Sequence, residues 1–465
     1  MKRLVIVIFI MFGAFLSFSL YRTYAYDTSV VEETPSTTDL EYTFKIGNSS
    51  IKQITVDSGE TKYYDIVLGN PNPAKISYSI YYEMVSPSTK PDGFKIEYTS
   101  KSTGESTGKV DKEGNITLNI EVTNTSSSAV TVKIGSVAGY VNGGELILGS
   151  GQVVIPKRVT ASEYIMSLDD GTTGDDGSGV YKVSHNAISA DSSATGSEIK
   201  ASDDYRYYGA SPNNYICLDM EDGSTCTDKH LYRIIGSMRE DSDGTYKVKV
   251  VKANLLINGS YSTFMWNSSI SNIWATITNG SFSNSIINGS SLMIFLNNDF
   301  LGTSASSPLS DTAQRFISYG LFYLSGWNTT DVYVSAIYGY ERGMNVIDTT
   351  HPLSWFGKIG LMYASDYGYA SGSECVTKTT LYNYNENCIL KNWLHMSVTE
   401  WLITPYSDNY DTVFQILSTG SVASEAYRFQ VTTAASVRPT FYLDKDVSIT
   451  SGTGTESDPY QLSVQ

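Results

Sequence analysis

Apolar and polar residues alternate along the first third of the chain, which is the pattern of strands that bury one face. Between residues 76 and 84 every second residue is apolar or aromatic, and the same period of two recurs over 116–122 and 130–134. Turn-forming sequences such as NPNP, SPSTKPDG and NGG interrupt these runs every 10–15 residues or so. The pattern predicts an Ig-like β-sandwich over residues 40–156, which contains no cysteine to cross-link it.

The period changes after residue 156. Thr160 and Glu163 have the spacing of a capping box, because the hydroxyl can accept from the third helical amide while the carboxylate reaches back. An apolar stripe follows, so we predict a short helix over residues 161–168. The rest of the range 157–204 is rich in Ser, Asp and Gly, and it is predicted to be a polar linker between two domains.

Residues 205–465 mix the two periods. The runs LYRIIGSM and TYKVKVVKANLL flank the turn EDSDG and predict a hairpin. SLMIFLNNDFL predicts a helix and DTAQ the start of another, whereas the predicted strands are VYVSAIYGYE, GKIGLMYA, EWLITP, TVFQIL and VRPTFYL. Strands and helices do not alternate regularly, so the pattern favours an α+β domain with an antiparallel sheet.

Four cysteines, Cys217, Cys226, Cys375 and Cys388, allow three pairings. The short spacings favour Cys217–Cys226 and Cys375–Cys388, each closing a loop of a size worth about 3 kcal/mol in the chain-entropy account. Zinc binding is the alternative, but neither spacing is C-x2-C and no histidine pair completes a ligand set. Disulfides are therefore predicted, and no metal ion.

The first residues predict export. Residues 2 and 3 are basic and precede an apolar run over 4–20, which is typical of a signal peptide over residues 1–25, followed by a linker at 26–39. The apolar run exceeds the usual core of ~7–15 residues, so an uncleaved N-terminal membrane anchor is the alternative. In both cases the protein is predicted to be secreted or held at the cell surface.

The net charge and the composition limit the classes of partner that the sequence predicts. The net charge is −16 and the isoelectric point about 4.7, which argues against nucleic acid and leaves the N-terminal segment, if uncleaved, as the only membrane contact. The chain has 35 tyrosines and four histidines, a composition better suited to a binding surface than to acid–base chemistry. We therefore expect a protein or glycan ligand whose identity the sequence does not give.

A series of segments carries a family resemblance: YYGASPNNYICL, CTDKHLYRIIGSM, YKVKVVKA, GKIGLMYASDYGYA, NWLHMSVTEWLITP, and VRPTFYL with SGTGTESDPYQL. Their order and wording resemble a family of exported proteins of unassigned role from Gram-positive-type gut bacteria. WLITP followed by VRP is more distantly similar to the formylglycine-generating-enzyme branch of C-type-lectin-like folds. That resemblance implies an α+β C-type-lectin-like domain over residues 205–465. The oxidase activity is not carried over, because Cys375 and Cys388 bracket a polar loop of their own.

Several residues are candidates for a site. Asp366 precedes Gly368 and is predicted to be a turn residue rather than a catalytic base, with Tyr367 and Tyr369 as candidates for a binding rim. The weak ligand-binding candidates are Asp366, Tyr367, Tyr369, Trp393 and Trp401, the two tryptophans being core residues or ligand platforms. Arg438, if buried, must pair with Glu400 or Asp366; an exposed arginine at a sheet edge is the alternative.

Enzymatic motifs are not recognisable. His395 begins HMSVT, which lacks the second histidine of a zincin, and no G-x-S-x-G sequence predicts a serine hydrolase. The acidic runs do not fit an EF-hand loop, and no cofactor is predicted. We predict a non-enzymatic surface protein for binding or adhesion. The alternatives are an envelope component that self-assembles, and an enzyme with an unmarked site.

Overall fold

The computed structural model describes residues 43–46, 52–141, 146–174, 177–220, 225–257, 262–275, 289–302, 309–343, 352–423 and 431–464. The predicted leader at 1–25 and linker at 26–39 lie outside these residues. The protein is mainly β, with 40% strand and 14% helix, as the sequence predicts. It consists of two compact units, one ending at Arg158 and the other beginning at Val159.

The N-terminal unit is built from antiparallel strands in two sheets. Its strands are β1 (Thr43–Ile46), β2 (Gln53–Val56), β3 (Glu60–Gly69), β4 (Ile76–Ser86), β5 (Phe94–Tyr98), β6 (Thr107–Val110), β7 (Asn115–Asn124), β8 (Val130–Tyr140) and β9 (Gln152–Val154). One sheet has the order β1-β3-β7-β5. The other has the order β2-β8-β4-β6, with β9 sharing the outer edge of β4 with β6.

A single apolar core lies between these two sheets. In β7 the residues alternate between buried and partly exposed, so Leu118 faces inward opposite Ile66 of β3 while Thr117 faces outward. The inward residues of β4 and β8, such as Ile80 and Val132, join the same core from the second sheet. The period-two prediction of strands is therefore confirmed, and the more specific Ig-like topology stays a prediction.

The C-terminal unit contains both helices and strands. The helices are α1 (Ala161–Ser167), α2 (Ser291–Phe295), α3 (Asp311–Arg315), α4 (Val334–Glu341), α5 (Ala364–Tyr369), α6 (Ser373–Lys378) and α7 (Glu386–Leu390). A π-helical turn, Leu296–Phe300, continues α2. Two short 3-10 turns span Ala190–Ser192 and Asp228–His230.

Fifteen strands of the C-terminal unit are described. They are β10 (Ser178–His185), β11 (Ser202–Gly209), β12 (Tyr215–Cys217), β13 (Leu231–Arg239), β14 (Tyr246–Lys252), β15 (Phe264–Met265), β16 (Ile317–Ser318), β17 (Gly320–Tyr323), β18 (Ser354–Gly357), β19 (Glu400–Pro405), β20 (Val413–Ile416), β21 (Ala434–Ala435), β22 (Thr440–Leu443), β23 (Ser448–Ser451) and β24 (Tyr460–Ser463). The predicted hairpin is confirmed as β13 and β14.

The main sheet of this unit is organised around β13. Its path is β16-β22-β14-β13-β12-β24-β23, and β11, which also pairs with β10, shares one edge of β13 with β12. Gly236 lies at a bulge in β13 directly opposite Arg206 of β11. A Cβ at this position would overlap the carbonyl oxygen of Tyr205, so glycine allows β11 to approach.

The prediction of a polar linker over residues 157–204 is wrong for most of that range. Its short helix is confirmed as α1, with the capping box between Thr160 and Glu163 in place. Beyond the helix, however, β10 pairs with β11, and Ala194 and Ile199 are buried in the core of the C-terminal unit. Most polar residues in this range are exposed, but Ser162, Ser193 and Asp204 are buried, and the sequence pattern gives no sign of it.

Two predicted strands are also wrong. VYVSAIYGYE forms α4, because Val334, Ile337, Tyr338 and Glu341 recur at helical spacing and are all buried. GKIGLMYA forms no ladder beyond the last residue of β18 and one bridge from Gly360. The helix predicted at DTAQ is confirmed as α3, although its cap is Ser310 rather than the aspartate that follows. In both failures tertiary packing overrides β-propensity.

The N-terminal core can be tested by replacing Leu118 with Ala. The fully buried side chain leaves a cavity, so we expect its unit to lose about 2–5 kcal/mol of unfolding free energy. All six tryptophans lie beyond Val159, so in urea denaturation tryptophan fluorescence reports only the C-terminal unit, while far-UV circular dichroism reports both. The L118A substitution should shift the dichroism transition alone.

Thr117→Ala, on the outer face of the same strand, is the matched control and should change stability by less than about 0.5 kcal/mol. Equal transitions for L118A and T117A would contradict the assignment of the inner face.

Candidate functional site

The strand β11 carries two opposite charges on one buried face. Asp204 and Arg206 are two residues apart, so their side chains emerge on the same side of the strand. The Nε and Nη2 atoms of Arg206 donate to Oδ2 of Asp204 at 3.1 and 2.7 Å. The remaining Nη1 of the guanidinium is directed at another element, the helix α5.

Asp366, in the first turn of α5, receives that nitrogen. Its Oδ1 accepts from Nη1 of Arg206 at 2.9 Å, and its Oδ2 accepts from Nζ of Lys249 at 2.6 Å and from the amide of Tyr363 at 3.0 Å. Asp366 is only 1% exposed and Lys249, from β14, is fully buried. The prediction of a turn residue is therefore corrected: Asp366 begins a helix and links it to β11 and β14.

His185, the last residue of β10, ends the chain of charges. Its Nε2 lies 2.9 Å from Oδ2 of Asp204, and its ring stacks on Tyr338 of α4 with centroids 3.5 Å apart. The edge of Tyr369 closes another side. The chain His185, Asp204, Arg206, Asp366 and Lys249, called the charge cluster below, thus joins three strands and a helix.

Another buried carboxylate, that of Glu341 at the end of α4, lies beside the charge cluster. Glu341 accepts from the amide and hydroxyl of Ser365, at 3.1 and 2.5 Å, and from the hydroxyl of Thr404 at 2.7 Å. Arg342 lies over the ring of Tyr338 at 3.5 Å and donates to the Tyr338 carbonyl oxygen. These contacts hold α4 against α5 and β19.

Burial and pairing set the ionisation of these groups. Burial alone would raise the pKa of Asp366, but Lys249 and Arg206 more than offset it, so the pKa lies below its usual value. Burial lowers the pKa of Lys249 to about 8, which leaves the ammonium charged at neutral pH. Burial lowers the pKa of His185 despite the nearby Asp204, and it raises the pKa of Glu341. At neutral pH Asp204, Arg206, Asp366 and Lys249 therefore carry their charges, and the His185 ring beside Asp204 is neutral.

Arg438 has the carboxylate partner that its sequence context suggests. Its Nε and Nη2 donate to the two oxygens of Glu400, both at 2.9 Å, and Nη2 also donates to the Leu394 carbonyl oxygen at 2.6 Å. Both side chains are buried, and Asp366 is engaged elsewhere. The pair ties β19 to the segment that leads into β22, which is a structural role.

The other predicted binding residues are also interior, and the prediction of an exposed rim is corrected. The hydroxyl of Tyr367 donates to the Gly420 carbonyl oxygen, and Tyr369 packs on the charge cluster. The indole of Trp393 donates to the carbonyl oxygen of Tyr207, and that of Trp401 to the carbonyl oxygen of Phe264. With Asp366, all five candidates are less than 5% exposed, which leaves no ring face for a ligand.

Both disulfides join the cysteines that are close in sequence. Cys217 pairs with Cys226, and Cys375 of α6 pairs with Cys388 of α7. The second bridge closes a loop that contains residues 380–383. Among the described residues, no group of His, Cys, Asp or Glu could hold a metal ion, and no helix is long and apolar enough to span a bilayer.

Asp366, His395 and Glu400 are the candidates for the unmarked site of an enzyme, and the structure does not bring them together. Asp366 and Glu400 each hold a different arginine. His395 is half-buried, its Nε2 lies 3.4 Å from the Ser397 hydroxyl, and its Nδ1 has no partner, so this Ser–His contact lacks the orienting acid of a triad. Asp366, His395 and Glu400 therefore do not form a triad with one another.

A surface feature that sequence reasoning missed lies on three loops of the C-terminal unit. The loop at 327–333 lies between the loops at 380–383 and 406–411. The backbone amide of Tyr382 donates to the Thr330 carbonyl oxygen, and the backbone amide of Ser407 donates to the Trp327 carbonyl oxygen. We call these three loops the tyrosine surface.

Three tyrosines on these loops are exposed. Tyr333, Tyr382 and Tyr410 are 46%, 42% and 63% exposed. Trp327, in the same surface, is half-buried and stacks on Tyr340 of α4 with centroids 3.6 Å apart. The sequence signals this surface only through its composition, because the three loops, WNTTDVY, TLYN and YSDNYD, are polar and contain tyrosine. Nothing in these sequences distinguishes an exposed tyrosine from a buried one.

Comparison with known protein families, curated proteins and solved structures gives no match for this chain. The resemblance to an exported family and to C-type-lectin-like folds thus stays a hypothesis. The functional argument therefore starts from the charge cluster and the tyrosine surface.

The structural role of the charge cluster is tested by Asp366→Asn. The substitution keeps the shape but leaves the buried ammonium of Lys249 without its carboxylate and leaves Arg206 with Asp204 alone, so we expect a loss of about 3–5 kcal/mol in unfolding free energy. The measurement is the urea midpoint by tryptophan fluorescence. Glu374→Gln, which removes an exposed partner of Lys378, is the control and should cost less than about 0.5 kcal/mol. Similar midpoints for both variants would rule out the structural role.

His185 gives a pH dependence of defined sign. Its pKa in the folded protein lies below the ordinary histidine pKa of about 6.5, so between these two values the unfolded chain binds more protons and stability falls with falling pH. The slope is at most about 1.4 kcal/mol per pH unit for one proton. The other charged groups that face the ring are Asp204, Arg206 and Arg342. They are present in the wild type and in His185→Gln alike, so the comparison of these two proteins isolates the titration of His185.

The wild type should therefore lose more stability than H185Q between pH 7 and 5, measured by urea midpoints of tryptophan fluorescence at each pH. Parallel curves would show that His185 is equally basic in the folded and unfolded chains.

Proposed function

We propose that the chain is a non-enzymatic, exported cell-surface protein that binds a protein or glycan ligand through the tyrosine surface. One observation carries the proposal. The charged and aromatic residues with candidate chemistry are buried and engaged with one another, whereas tyrosines lie exposed on contiguous polar loops. Tyrosine combines a large apolar face with a hydroxyl group at small entropic cost, which suits recognition.

The scaffold supports the same proposal. Loops carry function most readily when a rigid core positions them. The contacts of Glu341 hold α4 against α5 and β19, and the Cys375–Cys388 disulfide joins α6 to α7, so the elements from which these loops emerge are fixed. Two disulfides are compatible with an extracytoplasmic location. We further propose an Ig-like fold for the N-terminal unit and a C-type-lectin-like fold for the C-terminal unit, on the strength of the sandwiched sheets and of the sequence resemblance.

The proposal is tested by probing protein and glycan arrays with the mature chain, with and without calcium. For each ligand found, the triple variant Tyr333→Ala, Tyr382→Ala and Tyr410→Ala should bind at least about tenfold more weakly, because exposed aromatic residues dominate recognition energies. Tyr63→Ala, at a tyrosine 59% exposed in the N-terminal unit, is the control and should bind as wild type does.

A ligand held equally well by the triple variant would place recognition elsewhere on the protein. Turnover of a substrate by the mature chain would contradict the non-enzymatic part of the proposal. Tryptophan fluorescence of each variant verifies that the C-terminal unit is folded.

A further inference from the structure

The tyrosine surface contains an exposed carboxylate, Asp331, two residues before the exposed ring of Tyr333. Tyr333 pairs with Thr380 across an antiparallel bridge, so their side chains emerge on the same side. Asp331 is exposed, and its Oδ1 accepts from the Thr380 hydroxyl at 2.7 Å and from the Asn383 amide nitrogen at 3.1 Å. These bonds fix the carboxylate beside Tyr333 and the loop that carries Tyr382.

The charge of the surface has one sign. Its three loops contain Asp331, Asp408 and Asp411 and no lysine or arginine. The whole chain has a net charge of −16, which attracts a cationic partner at long range and repels an anionic one. Charge complementarity therefore selects among the ligands that a tyrosine-rich face can accept.

Ring and carboxylate together match a cationic side chain. The face of a tyrosine ring attracts an ammonium or guanidinium group, and a carboxylate held by two donors is preorganised for an ion pair with it. A neutral sugar would use the rings but gain nothing from the charge of Asp331.

We propose, on the basis of the proposed function, that the tyrosine surface binds a polypeptide segment that bears lysine or arginine. Tyr333 and Tyr382 contact the cation and its alkyl stem, and Asp331 pairs with its charge. This names the chemistry of the partner rather than its identity. The same surface then discriminates against peptides in which the cationic side chains are replaced by neutral amides.

The test uses the full mature chain and a fluorescein-labelled peptide of alternating lysine and glycine, compared with the same peptide carrying glutamine in place of lysine. Fluorescence anisotropy is measured at low and at high sodium chloride. Asp331→Asn retains the oxygen that Thr380 and Asn383 use while removing the charge. Asp331→Asn should weaken binding of the lysine peptide about threefold. The double variant Tyr333→Ala and Tyr382→Ala should weaken it about fivefold.

Asp57→Asn and Tyr63→Ala, both exposed in the N-terminal unit, are the matched controls and should leave binding unchanged. Salt should weaken the wild-type complex more than that of D331N, because one charge pair is absent from the variant. Equal binding of the glutamine peptide, or equal losses in the control and surface variants, would overturn the proposal in favour of diffuse attraction.

The two proposals fail in different ways. If an array ligand is lost in the tyrosine triple variant but is insensitive to D331N and to salt, the cationic partner is wrong and the recognition surface stands. If array ligands and the lysine peptide are indifferent to all tyrosine substitutions, the recognition surface itself is wrong.

Discussion

The C-terminal unit depends on the burial of one carboxylate between two cations. Asp366 satisfies Arg206 from one strand and Lys249 from another while it caps the helix that contains it. Burying any one of these charges alone would cost several kcal/mol, and each is tolerable here because it has a buried partner of opposite charge, Arg206 having Asp204 as well as Asp366. The arrangement therefore specifies which elements meet more than it adds net stability, and it fixes β11, β14 and α5 in a single relative position.

The sequence predicts most of the strands, for a clear physical reason. In the N-terminal unit β3, β5, β7 and the first half of β8 each have one buried and one more exposed face, so their letters alternate, whereas β4 is buried on both faces over most of its length. In the C-terminal unit β19 and β20 are buried on both faces and can be found only as short apolar runs. The segment 334–341 is apolar and rich in β-branched and aromatic residues, and it is helical because four of its residues pack on one side.

The candidate site could be predicted only in part. Arg438 and Glu400 were found because an arginine within an apolar strand demands a partner, and the sequence offers few. The charge cluster could not be found in this way, since Arg206 and Asp366 are separated by 160 positions and each has a plausible local explanation. The exposure of Tyr333, Tyr382 and Tyr410 is likewise decided by the packing of three loops that are distant in the chain.

One covalent bond has a consequence for where the tyrosine surface can exist. The loop at 380–383, with Tyr382 and the donors that orient Asp331, is enclosed by the bridge between Cys375 and Cys388. In a reducing compartment that bridge is open, and the enclosed segment regains conformational freedom that lowers the population competent to bind. Under the proposed function, binding by the tyrosine surface is therefore strongest in a compartment where this bridge can form.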